Sequence, residues 1–372
     1  MEAFVLDQLV YFGFLQGAFL LGSYALSPKW RKNINGYLVV LIVVLMIGLT
    51  GRAINASGMV DVSYRFIALS EYATFLFGAT VYLFTRSSLK ETRFTLRNLI
   101  HYLPGVGYIL VITFYYILAP REVISARFRS GELFWAVVLF MGAGLVVNIA
   151  YWVASYRLFR AFRQRLGEEV SYAVKTRFFH RFLLAIGGCL VCWLVIYLVG
   201  VFGQSWMERS ARPFIWMSIA FIMYFIAYYG MKEPELFRVA AIIPSKTKKY
   251  AQSRLSNQDL DRLKEQLDQL MLEKKPYLNR NLLKSDLAEL LGVNNPEVAR
   301  LLNERIGMNF FEYINYYRIK EFIALAKTEK AQNLTFFGLA QEAGFNSKTT
   351  FNNAFKKLMG TSPKEYFTQE AQ

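Results

Sequence analysis

Two cysteines are all the thiol chemistry that these 372 residues contain, and both lie in one apolar run, Cys189-Leu190-Val191-Cys192. A disulfide framework is thereby excluded. A redox or metal role needs a thiolate, and no basic residue stands nearby to favour one, so the pair reads as helix packing. Acidic residues are also scarce, 27 against 43 Lys and Arg, for a net charge of +16. A basic start is missing too: MEAFVLDQLV holds Glu2 and Asp7 but no Lys or Arg. The first apolar segment therefore lacks the n-region of a cleavable signal peptide and reads as retained. No kinase, nucleotide-binding or metal motif is visible, so neither catalysis nor a cofactor nor a metal is expected. Glu168-Glu169 begins an EExxxR intramembrane-protease pattern, but Ala173 stands where the arginine is needed.

What is abundant is apolar surface. Hydrophobic residues make up 55% of the chain and gather in seven runs, 4–26, 36–54, 66–85, 99–119, 133–154, 182–203 and 214–231. A helix needs about 20 mostly apolar residues to cross roughly 30 Å of hydrocarbon, and lipid offers backbone groups no partner, so each run is expected to be helical. Phe and Tyr cluster near the ends of the runs, as at membrane surfaces. One set of loops holds 14 cations: Lys29, Arg31, Lys32, Arg86, Lys90, Arg93, Arg97 and seven more from Arg157 to Arg181. The opposite set holds 7, from Arg52 to Arg212. The positive-inside rule then places the N-terminus outside, and seven crossings place the C-terminus in the cytoplasm.

Polar residues within such runs are functional candidates by default. Asp7 and His101 lie near helix ends, where water is close. Gln16 and Asn148 could simply bond a neighbouring helix, and Glu71 could pair with Arg65 or Arg52. Glu71 and Asn148 are kept as candidates for lining a ligand cavity, where a small-molecule or envelope signal would act.

Composition changes after residue 231, which ends the expected seven-helix domain, 1–231. A linker, 232–256, carries Pro234 and Pro244, which break any continuing helix. Its Lys246, Lys248 and Lys249 could touch an anionic leaflet, at roughly 1 kcal/mol each, or be a solvated run. Residues 1–244 hold 23 Lys and Arg against 12 acids, and the remainder 20 against 15. The apolar part is thus the more basic, and overall charge is no argument for nucleic acid. Ser256-Asn257-Gln258-Asp259 reads as a helix cap. Leu260, Leu263, Leu267 and Leu270 then form one helical stripe, either a dimer seam or a face packed on the next domain.

The last domain, 257–372, contains a repeat. Residues 282–313, LLKSDLAELLGVNNPEVARLLNERIGMNFFEY, match residues 334–366, LTFFGLAQEAGFNSKTTFNNAFKKLMGTSPKEY. Ala288 and Gly292 correspond to Ala340 and Gly344. Val298 and Leu302 correspond to Phe351 and Phe355 after one extra turn residue. Each copy predicts helix–turn–helix, over 282–306 and 335–360: a small Ala allows a close crossing, and a Gly ends the first helix. In the second copy Phe351, Ala354, Phe355 and Leu358 predict the buried face. The other face carries Lys348, Thr349, Asn352, Asn353, Lys356 and Lys357. Asn can bond an adenine edge in both directions, and Lys can reach guanine or phosphate. Asn346 and Ser347 sit at the helix start, where backbone N–H groups favour phosphate.

The pattern AGFNSKTTFNNAFKKLMGTSPKEY, Ala343 to Tyr366, resembles the signature of the AraC/XylS family of bacterial transcription regulators. The likeness covers about the last hundred residues. It implies an all-α DNA-binding domain whose two helix–turn–helix units are joined by a long helix, here Phe311 to Thr328, that presents them to successive major grooves about 34 Å apart. The whole chain resembles membrane-anchored members of that family: an all-α, seven-helix transmembrane bundle followed by a cytoplasmic helical domain. The implied function is a regulator in the inner membrane that senses a signal and binds promoter DNA, as a homodimer. The alternative is a transporter or receptor whose helical tail binds a protein. The first unit departs from the family pattern, with Pro296 and Glu297 opening its reading helix and Leu283 where a Thr cap is common; Asn295, Arg300 and Asn303 remain its DNA candidates.

Overall fold

A computed structural model describes residues 2–26, 35–57, 65, 68–90, 95–172, 174, 176–203, 213–232 and 256–370. Of the expected linker only Lys232 and Ser256 fall among them. Lys246, Lys248 and Lys249 lie outside the described residues, as do the loop cations Lys29, Arg31, Lys32, Arg93, Lys175, Arg209 and Arg212. Among the described residues every regular element is a helix, and β pairing is limited to one bridge between Val170 and Leu283. The chain divides into two units, residues 1–160 with 175–240, and residues 161–174 with 241–372.

The first unit holds α1 (Glu2–Leu26), α2 (Gly36–Ser57), α3 (Phe77–Lys90), α4 (Leu103–Ile112), α5 (Arg121–Arg129), most of α6 (Glu132–Glu169), α7 (Arg177–Phe202) and α8 (Pro213–Lys232). A 3-10 stretch, Leu96–Tyr102, leads into α4, and a π turn, Thr113–Ile117, extends it. Six helical stretches among the described residues are long and apolar enough to cross a membrane: Asp7–Leu26, Gly36–Ala53, Leu96–Ile117, Glu132–Glu169, Arg177–Phe202 and Pro213–Lys232. Phe12, Phe19, Phe114, Leu139, Val146, Val191 and Phe221 on them are all more than half exposed. Apolar surface of this extent suits hydrocarbon rather than water.

The run 66–85, one of the seven expected to be helical, is not a single continuous helix. Its helix is broken: Leu69–Ala73 is a 3-10 stretch, residues 74–76 are a turn, and α3 starts only at Phe77. A helix break among buried apolar side chains survives only where the freed backbone groups find partners. Asn148 of α6 supplies them, its Nδ2 donating to Thr74 O at 2.8 Å and its Oδ1 accepting from Gly78 N at 2.7 Å. One of the two partners expected for Glu71 is engaged elsewhere. Arg52 is not Glu71's partner, since its Nε donates to Asp7 Oδ1 at 2.6 Å while its guanidinium lies 5.3 Å from the Trp216 ring. Cys189 is buried and Cys192 half-buried, both as free thiols.

The second unit is built from the end of α6 and from α9 (Asn257–Glu273), α10 (Lys284–Leu291), α11 (Asn295–Leu301), α12 (Phe310–Ala326), α13 (Lys330–Asn333), α14 (Phe336–Glu342), α15 (Lys348–Met359) and α16 (Pro363–Glu370). Ser256 caps α9 as its sequence predicts: its Oγ accepts from Asp259 N at 3.2 Å, and its own N donates to Asp259 Oδ2 at 2.9 Å. Leu260, Leu263, Leu267 and Leu270 are all buried in one core with Leu287, Val298, Leu302 and Phe310. Full burial of a leucine contributes roughly 1.5–3 kcal/mol. The stripe is thus consumed inside the unit, and a dimer seam cannot be built from it. A second core joins Leu339, Ala340, Phe345, Phe351 and Phe355. Helix α12 serves both, giving Phe310, Tyr313 and Ile314 to the first and Ile319 and Phe322 to the second.

Candidate nucleic-acid interface

The second helix–turn–helix is α14, a turn and α15. Thr335 caps α14 through its Oγ1, which accepts from Gly338 N at 3.1 Å. Gly344 follows with φ +96°, in the left-handed region where glycine alone is free of strain. A Cβ there would stand 2.4 Å from Tyr277 O and 3.1 Å from Arg318 Nε. The turn therefore has two reasons for glycine, conformation and close approach. Ser347 caps α15, its Oγ accepting from Thr350 N at 3.4 Å, so a capping role is added to the expected phosphate contact.

On α15, Lys348, Thr349, Asn352, Asn353, Lys356 and Lys357 are all exposed, and so is Asn346 before it. Phe351 and Phe355 are buried on the opposite side. One expected core position is corrected: Leu358 is 40% exposed, while Met359 packs against the core instead. The buried stripe runs 351, 355 and 359, four apart, which turns Leu358 out of it. Lys357 is not a free cation, because its Nζ pairs with Glu312 Oε1 on α12. That hydrogen bond is the main reason the Glu312 carboxyl titrates below its usual value. Lys348 and Lys356 remain as the outward charges of the face.

The first unit, α10, turn and α11, reads differently. Glu297 is a cap: its Oε2 accepts from Asn294 N at 3.0 Å, and Asn294 Oδ1 accepts from Glu297 N at 3.0 Å. Its departure from the pattern is explained by this box. Asn295 and Arg300 are half-buried, and Arg300 Nε donates to both oxygens of Glu304 at 3.0 Å. Asn303 is exposed in the π turn Leu302–Ile306 that continues α11. The three candidates thus share one short helix with an acidic cap and an internal ion pair, against the cationic face of α15.

The repeat also explains the two Glu-Tyr pairs. Glu312 and Glu365 are both third residues of their helices, each accepting from a capping residue's amide, Asn309 at 3.2 Å and Ser362 at 3.0 Å. Hydrogen bonds from Thr361 and Ser362 hold the Glu365 carboxyl down at about 2.

Arg318 is a feature that sequence reasoning missed. It is 1% exposed, on the helix that joins the units. Burial lowers its guanidinium from the usual range to about 10. A signal was present: Arg318 falls four residues after Ile314 and four before Phe322, on the buried stripe of α12.

The apolar part of the chain, residues 1–160 with 175–240, contains a separate candidate, a cavity of about 840 Å³ walled by Tyr108, Phe140, Trp193 and Trp216 and reached by Glu71 and Asn148. Glu71 Oε2 accepts from Thr74 Oγ1 at 3.2 Å. Asn148 has both amide atoms engaged at the break before α3. The structure brings these two sensor candidates to one cavity, with Glu71 as its charged group.

Residues 287–369 match the family model described as a helix-turn-helix domain, of the AraC type. Among curated proteins, the chain is similar to an uncharacterized response regulatory protein of Staphylococcus epidermidis, 25% identical over 103 residues, which is 28% of this chain and 39% of that protein. It is also similar to the transcriptional regulatory protein HptR of Staphylococcus aureus, 27% identical over 85 residues, 23% of this chain and 32% of that protein. The chain therefore spans only about 39% and 32% of the length of these two relatives. Its C-terminal domain is an AraC-type DNA-binding helix-turn-helix domain.

Proposed function

We propose that this chain is a membrane-anchored transcription regulator that reads promoter DNA with two helix–turn–helix units and senses a signal with its apolar helices. The observation that carries the reading is the outward face of α15, two exposed lysines and two asparagines opposite a phenylalanine core, within the matched domain. Asn352 and Asn353 are its base readers. Lys348, Thr349 and Lys356 hold phosphate or guanine, and Asn346 and Ser347 hold phosphate at the helix start. Lys357 contributes less, being paired with Glu312. Asn295, Arg300 and Asn303 give the first unit a weaker contact. A mobility-shift series with rising salt tests this: DNA binding falls steeply with log salt, whereas a protein-binding tail shifts no DNA.

The chain lies in a bacterial inner membrane with its N-terminus outside and its C-terminal domain in the cytoplasm. Parity requires the broken run to cross, with Leu69–Ala73 and α3 together forming the seventh span. The domains are then residues 1–231, a linker 232–256 and residues 257–372. Alkylation of single cysteines from each side of intact cells tests the orientation, and labelling of the tail from outside sinks it. Pairing of two copies on DNA uses a surface other than the α9 leucines, and analytical ultracentrifugation of the DNA complex tests it.

The cavity beside Glu71 supports sensing. Its aromatic walls fit an apolar body, and its carboxylate fits a hydrogen-bond donor or an organic cation. Glu71→Gln should weaken binding of naphthylmethylamine and leave naphthylmethanol unchanged, followed by tryptophan fluorescence. Equal binding of both probes to both proteins removes Glu71 from the site. The same cavity and the helix break favour a second reading, a transporter with a regulatory tail. Uptake into vesicles decides it.

A further inference from the structure

The second unit includes a segment that its sequence places far away, residues 161–174. Helix α6 ends there at Glu169, and the chain then turns extended. Val170 forms an antiparallel bridge with Leu283, and Ser171 N donates to Leu282 O at 3.2 Å. The Ser171 hydroxyl donates to the same Leu282 carbonyl at 2.7 Å. Beside the bridge, Lys284 Nζ meets Glu169 Oε1 at 2.8 Å, with the Lys284 side chain only 6% exposed.

Arg318 completes the arrangement. Its Nε donates to Tyr277 O at 2.7 Å and its Nη2 to Asn279 O at 2.7 Å. Its other two bonds go to Ser171, Nη1 to the carbonyl at 2.6 Å and Nη2 to the hydroxyl at 3.0 Å. These four acceptors are all neutral oxygens, and half of them belong to one serine. Removing Ser171 would leave a buried cation short of acceptors, a state proteins avoid.

The place matters because it is the joint between the two helix–turn–helix units. Helix α12, which carries Arg318, is shared by both cores. Residues 275–283 bind across the joint: Lys275 Nζ and the Tyr277 hydroxyl reach Glu321, and Arg280 Nε donates to Gln341 O of α14 at 3.2 Å. Tyr277 O also abuts Gly344 in the second unit's turn. The extended segment pairs with the end of that same stretch.

We propose that Leu282, Leu283, Lys284 and Arg318 form a docking site on the DNA-binding domain whose occupant is the chain's own segment Glu169–Ser171, and that seating or releasing it sets the mutual placement of the two reading helices. The dock is small enough to release: one bridge pair, one ion pair and the bonds of Ser171. Glu169 closes the long apolar helix α6, so the signal route runs through the end of that helix. This differs from a route through residues 233–255. The proposal rests on the DNA-binding reading for its output and not for the dock.

The test uses the full chain in membranes, with Cys189→Ala and Cys192→Ala as background. Val170→Cys with Leu283→Cys sets two thiols on opposed bridge positions, where Cβ atoms stand about 4.5–5.5 Å apart and an oxidant can join them after a small shift. The dock predicts a cross-link in most chains. Glu169→Lys should lower its yield about fivefold through repulsion of Lys284, and adding Lys284→Glu should restore it. Promoter affinity of the oxidised chain should differ from that of the reduced chain by about fivefold or more, the scale of allosteric coupling. Absence of the cross-link overturns the dock. A full cross-link with the same affinity in the oxidised, reduced and Glu169→Lys chains overturns its regulatory role and leaves a passive staple. A chain that cross-links but binds no DNA at any salt upholds the dock and sinks the DNA-binding reading, so the two failures are distinct.

Discussion

Asn148 and Gly78, 70 positions apart, meet through a hydrogen bond of 2.7 Å from the Gly78 amide to Asn148 Oδ1. The bond settles what the asparagine does for the fold. It replaces a helix's own acceptor where the helix is interrupted. Asn148→Ala should leave Gly78 N and Thr74 O without their partners, at about 1–3 kcal/mol for each buried group. Gly78→Ala should be as damaging, because a Cβ there would stand 2.6 Å from Asn148 Oδ1. Thermal melts of the full chain in detergent check both. A fully stable Asn148→Ala protein would show that the break is held by other contacts.

The face of α15 separates two kinds of contact. Lys356→Ala should weaken binding to all DNA sequences and reduce the salt slope by about one. Asn352→Ala should cost about 1–3 kcal/mol on the preferred site and relax preference at one base pair. Lys357→Ala should do less than Lys356→Ala, because Glu312 already neutralises Lys357. Mobility shifts at about 50 and 200 mM salt resolve the three. Uniform loss on every sequence for Asn352→Ala would contradict base reading.

The two turn glycines should rank unequally. Gly292 has φ +68° with open space around its absent Cβ, so Gly292→Ala carries only the left-handed penalty, about 1–2 kcal/mol. Gly344→Ala adds a 2.4 Å collision with Tyr277 O, and should exceed it. Hydrogen exchange across α12 and α14 in the full chain reads the difference. Equal protection in the two variants would mean that the residue 277 backbone yields easily.

Acid should weaken the C-terminal helix first. The folded Glu365 carboxyl lies at about 2, below its unfolded value of about 4.3. A depressed folded value means that the group stabilises the fold above pH of about 4.3 and loses that contribution as pH falls toward 2. Glu365→Gln should flatten the dependence of helix content on pH across that window, measured by circular dichroism. A Glu365 carbon resonance titrating near 4.3 would remove the cap from the account.

Much of the reading domain was legible because its chemistry is local. A doubled spacing, a glycine between helices and a Ser-x-x-Asp cap each declare themselves within a few residues. Leu358 was misplaced because spacings of three and four were both allowed, and the core chose four. The break in the run 66–85 was hidden because the partner of its backbone groups, Asn148, arrives from another helix. The buried leucine stripe of α9 announced a partner but not which one. Ser171 at Arg318 was beyond reach for the same reason: two residues 147 positions apart share no pattern that a reader of the chain can see.

Helix α12 is a common wall for two small rooms. Neither helix–turn–helix can melt without stripping one side of that wall, so heating should produce a single transition for both. A substitution such as Phe322→Ala, made wholly within the second core, should therefore loosen amide protection in the first.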